Sequence, residues 1–541
     1  MNVRNNTHSV SLYDTTLRDG TQGEGISFSL LDKIRIVRKL ADFGMDFIEG
    51  GWPGSNPKDL AFFTEARRHD LGGAKLAAFG STRRAGVTAA KDPQITQLLE
   101  AETPIVTIFG KSWKLQVEKV LGVPHAENLK MIGDSVAYLK SSGREVFYDA
   151  EHFFDGYKDD PDFALATLAA AANGGADVLV LCDTNGGTMP DEVGMITAAV
   201  EAIFPGKVGI HTHNDCGLGV ANALAAVRSG AVQVQGTMNG YGERTGNCNL
   251  TTVIPCLQLK MGIPVVPDLR RLRDVSLFVD ELANRNPDSR APFVGTTAFA
   301  HKGGMHVNAV AKTAAAYEHI EPASVGNHQN ILVSELSGRS NILLKAEELG
   351  ITLSRQDPAV LRVLEKIKAL ESQGYEFEAA DASLELLIRK ELGLHEPFFE
   401  LQEYHCSFRR DATGSSTTCK ATVGVRDGGE MIEMTAEGDG PVNALDAALR
   451  KALQKLHPWI SRIALSDYKV RIVDGGRGTA ARTRVHILSS EGTESWGTVG
   501  VSDNIIEASW LALVDSLEFC AARRYQRVHD GADTQKGESI A

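Results

Sequence analysis

No apolar run among the 541 residues approaches the roughly 18 needed to span a bilayer, so no membrane span is expected. The opening residues, Met1-Asn2-Val3-Arg4-Asn5-Asn6-Thr7-His8, have neither an apolar h-region nor an Arg-rich amphipathic pattern, and no targeting segment is expected from them. Cationic residues are in the minority: 56 Lys and Arg stand against 69 Asp and Glu, a net charge of −13. That argues against nucleic acid, whose phosphates demand clustered Lys and Arg, and equally leaves room for an anionic small substrate held at one local basic or metal site. Seven cysteines (Cys182, Cys216, Cys248, Cys256, Cys406, Cys419, Cys520) show no CxxC spacing. Their odd number suits a reducing, cytoplasmic setting, with the thiols as buried packing residues and not ligands. No Walker or GxGxxG loop marks a phosphate site.

What is present is the composition of a soluble globular protein, 43% hydrophobic and 23% charged, at a length that suggests two to four domains. Short β-rich runs recur at Ser9–Tyr13, Phe47–Glu49, Leu76–Phe79, Ile105–Phe109, Val146–Tyr148, Val178–Leu181, Val208–His211 and Val232–Gly236. Helix-like segments such as Leu30–Phe43, Phe163–Asn173 and Leu218–Ser229 alternate with them. Eight βα units in roughly 250 residues predict a TIM (β/α)8 barrel. A doubly wound sheet is the rival, but its strands need not end in polar residues. Here they do, at Asp14 and Arg18-Asp19, Glu49, Asp149 and Glu151, Asp183-Thr184-Asn185, His211 and His213, then Asn239 and Glu243-Arg244. Chemically capable groups gathered at strand C-termini are the pattern of a barrel active site.

After the barrel, taken as 1–280, residues 281–397 read as a linker with a helical subdomain, including Val360–Glu371 and Ala382–Leu392. Residues 398–530 contain an internal βββα repeat, expected to be an α+β regulatory and dimerisation domain. Its first half has strands at Cys406–Phe408, Cys419–Val425 and Met431–Ala436 and a helix at Val442–Leu456. The second has strands at Lys469–Val473, Thr483–Leu488 and Trp496–Gly500 and a helix at Ile505–Ala521. Residues 531–541 are expected to form a disordered tail.

In Gly209-Ile210-His211-Thr212-His213-Asn214-Asp215, two imidazoles stand two residues apart on a strand and so project from one face. They could be solvent-facing histidines, or they could converge on a first-row divalent metal. A carboxylate is at hand in Tyr13-Asp14-Thr15-Thr16-Leu17-Arg18-Asp19-Gly20-Thr21-Gln22, where a strand runs into a polar turn that sets Asp14, Arg18, Asp19 and Gln22 close together. Two histidines and one carboxylate make an open site with positions left for substrate and water.

With these residues in hand, the chain resembles the family of 2-isopropylmalate, homocitrate and citramalate synthases, metal-dependent barrel enzymes that condense acetyl-CoA with 2-oxo acids. The resemblance lies in Asp14–Gly20, in His211–Asp215 followed by Asn239-Gly240-Tyr241-Gly242-Glu243-Arg244-Thr245-Gly246-Asn247, and in the C-terminal repeat. Gly50-Gly51-Trp52-Pro53-Gly54-Ser55-Asn56-Pro57-Lys58-Asp59 and Tyr148–Tyr157 resemble the citramalate branch, whose 2-oxo acid is pyruvate. Glu151-His152 departs from the Glu-Asp pair usual in the isopropylmalate branch, and the bulk of His152, Phe153 and Phe154 is expected to narrow the pocket to a methyl-sized substituent.

The resemblance implies an acyltransferase that makes citramalate and CoA from acetyl-CoA, pyruvate and water, in isoleucine biosynthesis. It implies a divalent metal (magnesium, manganese or zinc) on Asp19, His211 and His213, with Asn247 as a weaker ligand or a group supporting the ligands. Arg18 would stabilise the developing oxyanion and His306, in His301-Lys302-Gly303-Gly304-Met305-His306, would act as the base, with Glu151 and Tyr317 near the same chemistry. Asp14, Gln22, Glu49 and Thr184 are the substrate-binding candidates. Glu49 could line the barrel floor or be a buried acid paired with Arg18. His301 and His152 read as structural or pocket-shaping. A homodimer sharing its active site, and isoleucine as effector, are expected on the same ground.

Rival readings are another branch of the family (2-isopropylmalate or homocitrate synthase), an acyl-CoA lyase on the same barrel, a non-haem iron oxygenase and a catalytically dead amino-acid sensor. The large C-terminal domain argues against the lyase and the βα alternation against the oxygenase. The intact set of Arg18, Asp19, His211, His213 and His306 argues against the sensor.

Overall fold

A computed structural model describes residues 9–334, 337–410, 417–492 and 494–537. Eight parallel strands close into a barrel in sequence order: β1 (Ser11–Asp14), β2 (Phe47–Gly51), β3 (Lys75–Ser81), β4 (Ile105–Lys111), β5 (Glu145–Glu151), β6 (Val178–Asp183), β7 (Val208–Thr212) and β8 (Gln233–Gly236). β1 closes the ring by pairing with both β2 and β8. Each expected strand is found, and the barrel is the expected one.

The outer helices form for local reasons. Leu30–Phe43 starts at a capping box in which the Ser29 side chain accepts from Asp32 N–H and Asp32 accepts from Ser29 N–H. It buries Ile34, Ile36, Val37, Leu40 and Phe43, spaced to keep one stripe against the barrel. Pro161–Gly174 begins with proline in its first turn and Asp160 capping Phe163 N–H.

The chain forms two compact units. One runs up to Phe299 and includes Glu318–Gln329; the other comprises Ala300–Tyr317 and the chain from Asn330 onward. The boundary expected at 280/281 therefore falls inside the first unit. Leu272, Val275 and Val279 of helix Leu272–Leu282, then Phe293, Val294 and Phe299, are buried in the same core as the barrel helices. The boundary expected at 397/398 falls inside the second unit. There Ile342, Val360, Val363, Ile367, Leu384 and Ile388 of the helical segment share a core with Val499 and Val501 of the last strand.

The second unit holds a short parallel pair, β9 (Ala300–His301) and β10 (Asn330–Ile331). It also holds two antiparallel sheets, β11 (Glu400–Arg410), β12 (Thr417–Asp427) and β13 (Glu430–Gly438), then β14 (Ala464–Ile472), β15 (Thr483–Glu491) and β16 (Glu494–Ser502). Helix Pro441–Gln454 lays Ala444, Leu445, Ala448, Leu449 and Ala452 into a core with Ala421, Val423 and Val425, alternate residues of β12. Helix Ile505–Gly537 follows the second sheet, giving the βββα repeat. That helix runs past its expected end at Ala521, because no proline interrupts it. Of the expected tail, 531–537 are thus helical and 538–541 lie outside the described residues. Among the described residues, no helix is long and apolar enough to cross a membrane.

Candidate active site

On parallel strands, inward-facing residues form layers two positions apart. The lower layer is apolar: Tyr13, Ala77, Ile105 and Phe147 are buried together with Phe47 and Val178 packed on them. Two residues further along, the same strands turn polar, at Glu49, Thr107 and Asp149, and His211 and Gln235 join them from β7 and β8. The site thus rests on a plug of side chains at the C-terminal mouth of the barrel.

Asp19, His211 and His213 converge there. All three are buried, and one ligand atom from each lies within 4.8 Å of the others. His211 Nε2 is 3.4 Å from Asp19 Oδ2. The His211 Nδ1–H donates to Gln235 Oε1 (2.9 Å), and Gln235 Nε2 donates to Asp149 Oδ1 (3.2 Å). This relay fixes the imidazole with its Nε2 lone pair facing Asp19, the usual support of a metal-bound histidine. Burial foremost, and His213 next to it, hold the His211 pKa down to about 4, so the ring is neutral near pH 7. Burial works against ionisation of Asp19, but Arg18 and the two imidazoles outweigh it and keep its carboxyl below the usual range.

Asn247 is bridged to His213 through the backbone, and its Nδ2 donates to the Tyr241 carbonyl (2.9 Å). Its Oδ1 and the His213 Nδ1 are both buried without a hydrogen-bond partner, a cost that a cation would remove. One carboxylate, two imidazoles and an amide oxygen fit a divalent cation.

Arg18 is held from three sides. Its Nε donates to Glu49 Oε1 (2.5 Å), its Nη1 lies 3.4 Å from Asp19 Oδ2, and its guanidinium sits 3.6 Å from the Phe79 ring centroid. Glu49 is fully buried and also accepts from the Tyr13 hydroxyl (2.6 Å), as a buried acid paired with Arg18 in the layer beneath the site. Burial raises its pKa, opposed by Arg18 and Tyr13. Asp149 is pushed up to about 8, by burial first and by Glu49 second.

A cavity of about 220 Å³ opens beside these groups. Arg18, Asp19, Gln22, Glu151, Thr184, His211 and His213 line it. Asp14 and Glu49 do not; Asp14 is fully buried and accepts from the Thr16 N–H and hydroxyl. The Thr184 hydroxyl accepts from the His152 N–H (2.8 Å), which leaves its own hydrogen free to donate. Glu151 forms an ion pair with Lys111. His152, Phe153 and Phe154 do not line the cavity. Phe153 and Phe154 start helix Phe153–Asp159 and point into the core, and His152 turns the chain there at φ +57°.

An aromatic wall at the ends of β2–β4 lines the cavity in their place. Trp52 meets Phe79 and Phe109 edge-on, with ring centroids 5.8 Å away in each case, while Phe79 and Phe109 stack at 5.5 Å. Phe79 stands two residues beyond inward-facing Ala77, so strand periodicity could have marked it. The same periodicity marks Gln235 beyond Gln233, both buried on β8. Asp149, Cys182, Glu243 and Arg244 complete the lining. Arg244 is fastened by two bonds to Asp215 (2.7 and 2.9 Å) and one to the Thr184 carbonyl (2.8 Å).

His306 and Tyr317 belong to the second unit, where their rings lie 4.4 Å apart; Tyr317 is 49% exposed. All seven cysteines are free. Cys182, Cys248, Cys419 and Cys520 are buried as expected, but Cys216, on the polar loop after β7, is exposed, and Cys256 and Cys406 are half-buried.

Three family models match the chain: HMGL-like over residues 9–279, homocitrate synthase post-HMGL domain-like over 293–375, and LeuA allosteric (dimerisation) domain over 378–520. An (R)-citramalate synthase of Geobacter sulfurreducens is 53% identical over 512 residues, 94% of this chain and 97% of that one. That of Aquifex aeolicus is 52% identical over 513 residues, again 94% and 97%. A 2-isopropylmalate synthase of Pelotomaculum thermopropionicum reaches 30% over 516 residues, 94% and 97%. With near-complete coverage in both directions, and a gap of more than 20 points between the two branches, the chain belongs to the (R)-citramalate synthase family.

Proposed function

We propose that the chain condenses acetyl-CoA with pyruvate and water to give (R)-citramalate and CoA, at the barrel mouth. The observation that carries this reading is the near-full-length likeness to (R)-citramalate synthases in a chain whose cavity keeps Arg18 beside the Asp19, His211 and His213 cluster.

A divalent cation held by Asp19, His211 and His213, with Asn247 as a weaker ligand, would supply Lewis acidity toward the keto and carboxylate oxygens of a 2-oxo acid. Magnesium, manganese and zinc all suit this mixed oxygen and nitrogen donor set. The chain's own residues do the remainder. Arg18, permanently charged and clamped by Glu49, meets the charge that develops on the keto oxygen as the new carbon–carbon bond forms. Thr184 donates to the substrate carboxylate, and Gln22 lines the same cavity. The acetyl methyl must lose a proton near neutral pH. His306 is assigned as that base by the family resemblance, with Tyr317 against its ring and Glu151 poised by Lys111 in the cavity. Water then cleaves the thioester and releases the CoA thiol.

The LeuA-type match over 378–520 supports a homodimer whose C-terminal domain binds an end-product amino acid, isoleucine for this product. The decisive experiment is thiol release from acetyl-CoA with pyruvate, 2-oxoisovalerate and 2-oxoglutarate side by side, with and without chelator. Chelator-sensitive release with pyruvate alone is expected. Preference for either larger acid would move the chain to another branch, and release indifferent to chelator would remove the metal from the reading. Isoleucine titrated into the pyruvate reaction should lower its rate; indifference to it would leave the C-terminal domain with assembly alone.

A further inference from the structure

Lys33 is charged, yet it is 2% exposed and takes no part in the chemistry above. Its Nζ donates to Asp59 Oδ1 (2.6 Å) and to the Gly50 carbonyl (3.1 Å). Asp59 is buried too, and its second oxygen accepts the Trp52 N–H (3.0 Å). A buried ion pair is expensive to desolvate and is weak evidence for stability alone, so its position calls for a reason.

The reason lies in the chain it grips. Between β2 and β3 the register slips: Glu49 pairs with Ala77 but Gly51 pairs with Ala78, so Gly50 is one residue too many. Such a bulge reverses the alternation of side chains beyond it. Glu49 points inward to Arg18; without the bulge, Trp52 would point away from the barrel mouth. With it, Trp52 swings into the cavity against Phe79 and Phe109. The bulge admits no side chains of its own. A Cβ on Gly50 would fall 2.2 Å from Phe62, and one on Gly51, at φ +152°, would fall 2.5 Å from the Asp59 carboxyl carbon. Lys33 and Asp59 hold the bulge from the helix side by its carbonyl and by the N–H that follows it.

The cation ligands stand on β1 and β7 or just beyond them, and the aromatic wall stands on β2–β4. A 2-oxo acid bound by its two oxygen-bearing carbons on the first side presents only its alkyl group to the second. Resting on the reading that this cavity takes a 2-oxo acid, we infer that Trp52 sets the upper size limit of that alkyl group, and that Lys33 and Asp59 are positioning residues that aim it.

The test compares wild type, Trp52→Ala, Trp52→Phe and Lys33→Met on pyruvate, 2-oxobutanoate and 2-oxoisovalerate, which differ only in alkyl size. Trp52→Ala should raise the kcat/KM ratio of 2-oxobutanoate to pyruvate by about 10- to 100-fold, the range one methylene commands in an apolar pocket. Trp52→Phe should keep most of the wild-type ratio. Lys33→Met should raise the ratio in the same direction while leaving the KM for acetyl-CoA unchanged, which a generally loosened fold would not do. An unchanged ratio in a folded Trp52→Ala overturns the assignment of Trp52. An unchanged ratio in a folded Lys33→Met overturns that of the pair, and if this variant does not fold, Asp59→Asn takes its place. If wild type prefers a larger acid, the function reading fails, and the same ratio taken upward from that acid still tests the wall. If no acid releases thiol, calorimetric affinities of the three acids in manganese supply the ratio.

Discussion

The two walls of the barrel mouth are built on opposite plans. Around the cation site the polar groups are partnered with one another: Asp149 receives Gln235, Gln235 receives His211, and Glu49 receives Arg18 and Tyr13. Among the buried atoms without a hydrogen-bond partner are two that a cation would take, on His213 and Asn247. On the β2–β4 side, Trp52, Phe79 and Phe109 present only ring faces and edges. Directional bonds fix where charge can be stabilised; a wall of rings fixes only how much space is left. Damage to the first wall should therefore appear in the rate, and damage to the second in the ratio between substrates.

The sharpest way to break that division is at the cation ligands. Asp19→Ala and His213→Ala should each reduce thiol release to below about one-thousandth of wild type, since Lewis-acid stabilisation is lost outright. The thermal midpoint of His213→Ala should hold or rise, because it removes a buried ring nitrogen that lacks a partner, whereas that of Asp19→Ala should fall, because its carboxylate pairs with Arg18. Near-normal turnover in either variant would remove the ligand assignment. Arg18→Lys keeps the charge but loses the planar fork that spans Glu49 and Asp19, so kcat should fall by about 10²–10³. A change in substrate ratio in place of a loss of rate would show that the two walls are not independent. Gln235→Leu should act one step back. The affinity for manganese, followed by calorimetry, should weaken by about 10- to 100-fold, with turnover recovered by excess metal.

The barrel was open to reading because strand and helix periodicities differ and because polar residues fell at one end of successive runs. Leu30–Phe43 has its expected bounds, between the Ser29 cap and Gly44 at φ +108°. The metal cluster was legible for a similar reason: His211 and His213 sit two apart on one strand. Trp52 of the aromatic wall was not, because it owes its direction to an extra residue in β2, and a bulge is a property of two paired strands, not of one segment. Phe153 and Phe154 misled in the same way. Their bulk is evident, but His152 at φ +57° turns them into the core and away from the cavity. The compact units likewise depend on which helix packs where, as with Leu272–Leu282 against the barrel, and no linker composition announces it.

The smallest expected difference between the walls is in their response to pH. Asp14, beneath the cation side, is fully buried, and burial pushes its pKa up to about 7 against the pull of its hydrogen bonds from Thr16. In the unfolded chain the same carboxyl titrates near 4. Between about pH 4 and 7 the folded state therefore holds a proton that the unfolded state has released, so stability falls as pH rises across that window. Asp149, held up to about 8 by burial and then by Glu49, adds the same sign over a wider span. One such group changes stability by at most about 1.4 kcal/mol per pH unit. In chelated protein, urea midpoints taken from pH 4.5 to 7.5 should decline, and Asp14→Asn, neutral at every pH, should flatten part of that decline while leaving Asp149 to supply the rest. Phe79→Leu, on the wall without ionisable groups, should lower the midpoint but leave its slope with pH intact. If Phe79→Leu altered the slope as much as Asp14→Asn, the ring over Arg18 would be setting the electrostatics of the mouth as well as its size, and the two walls would have to be treated as one.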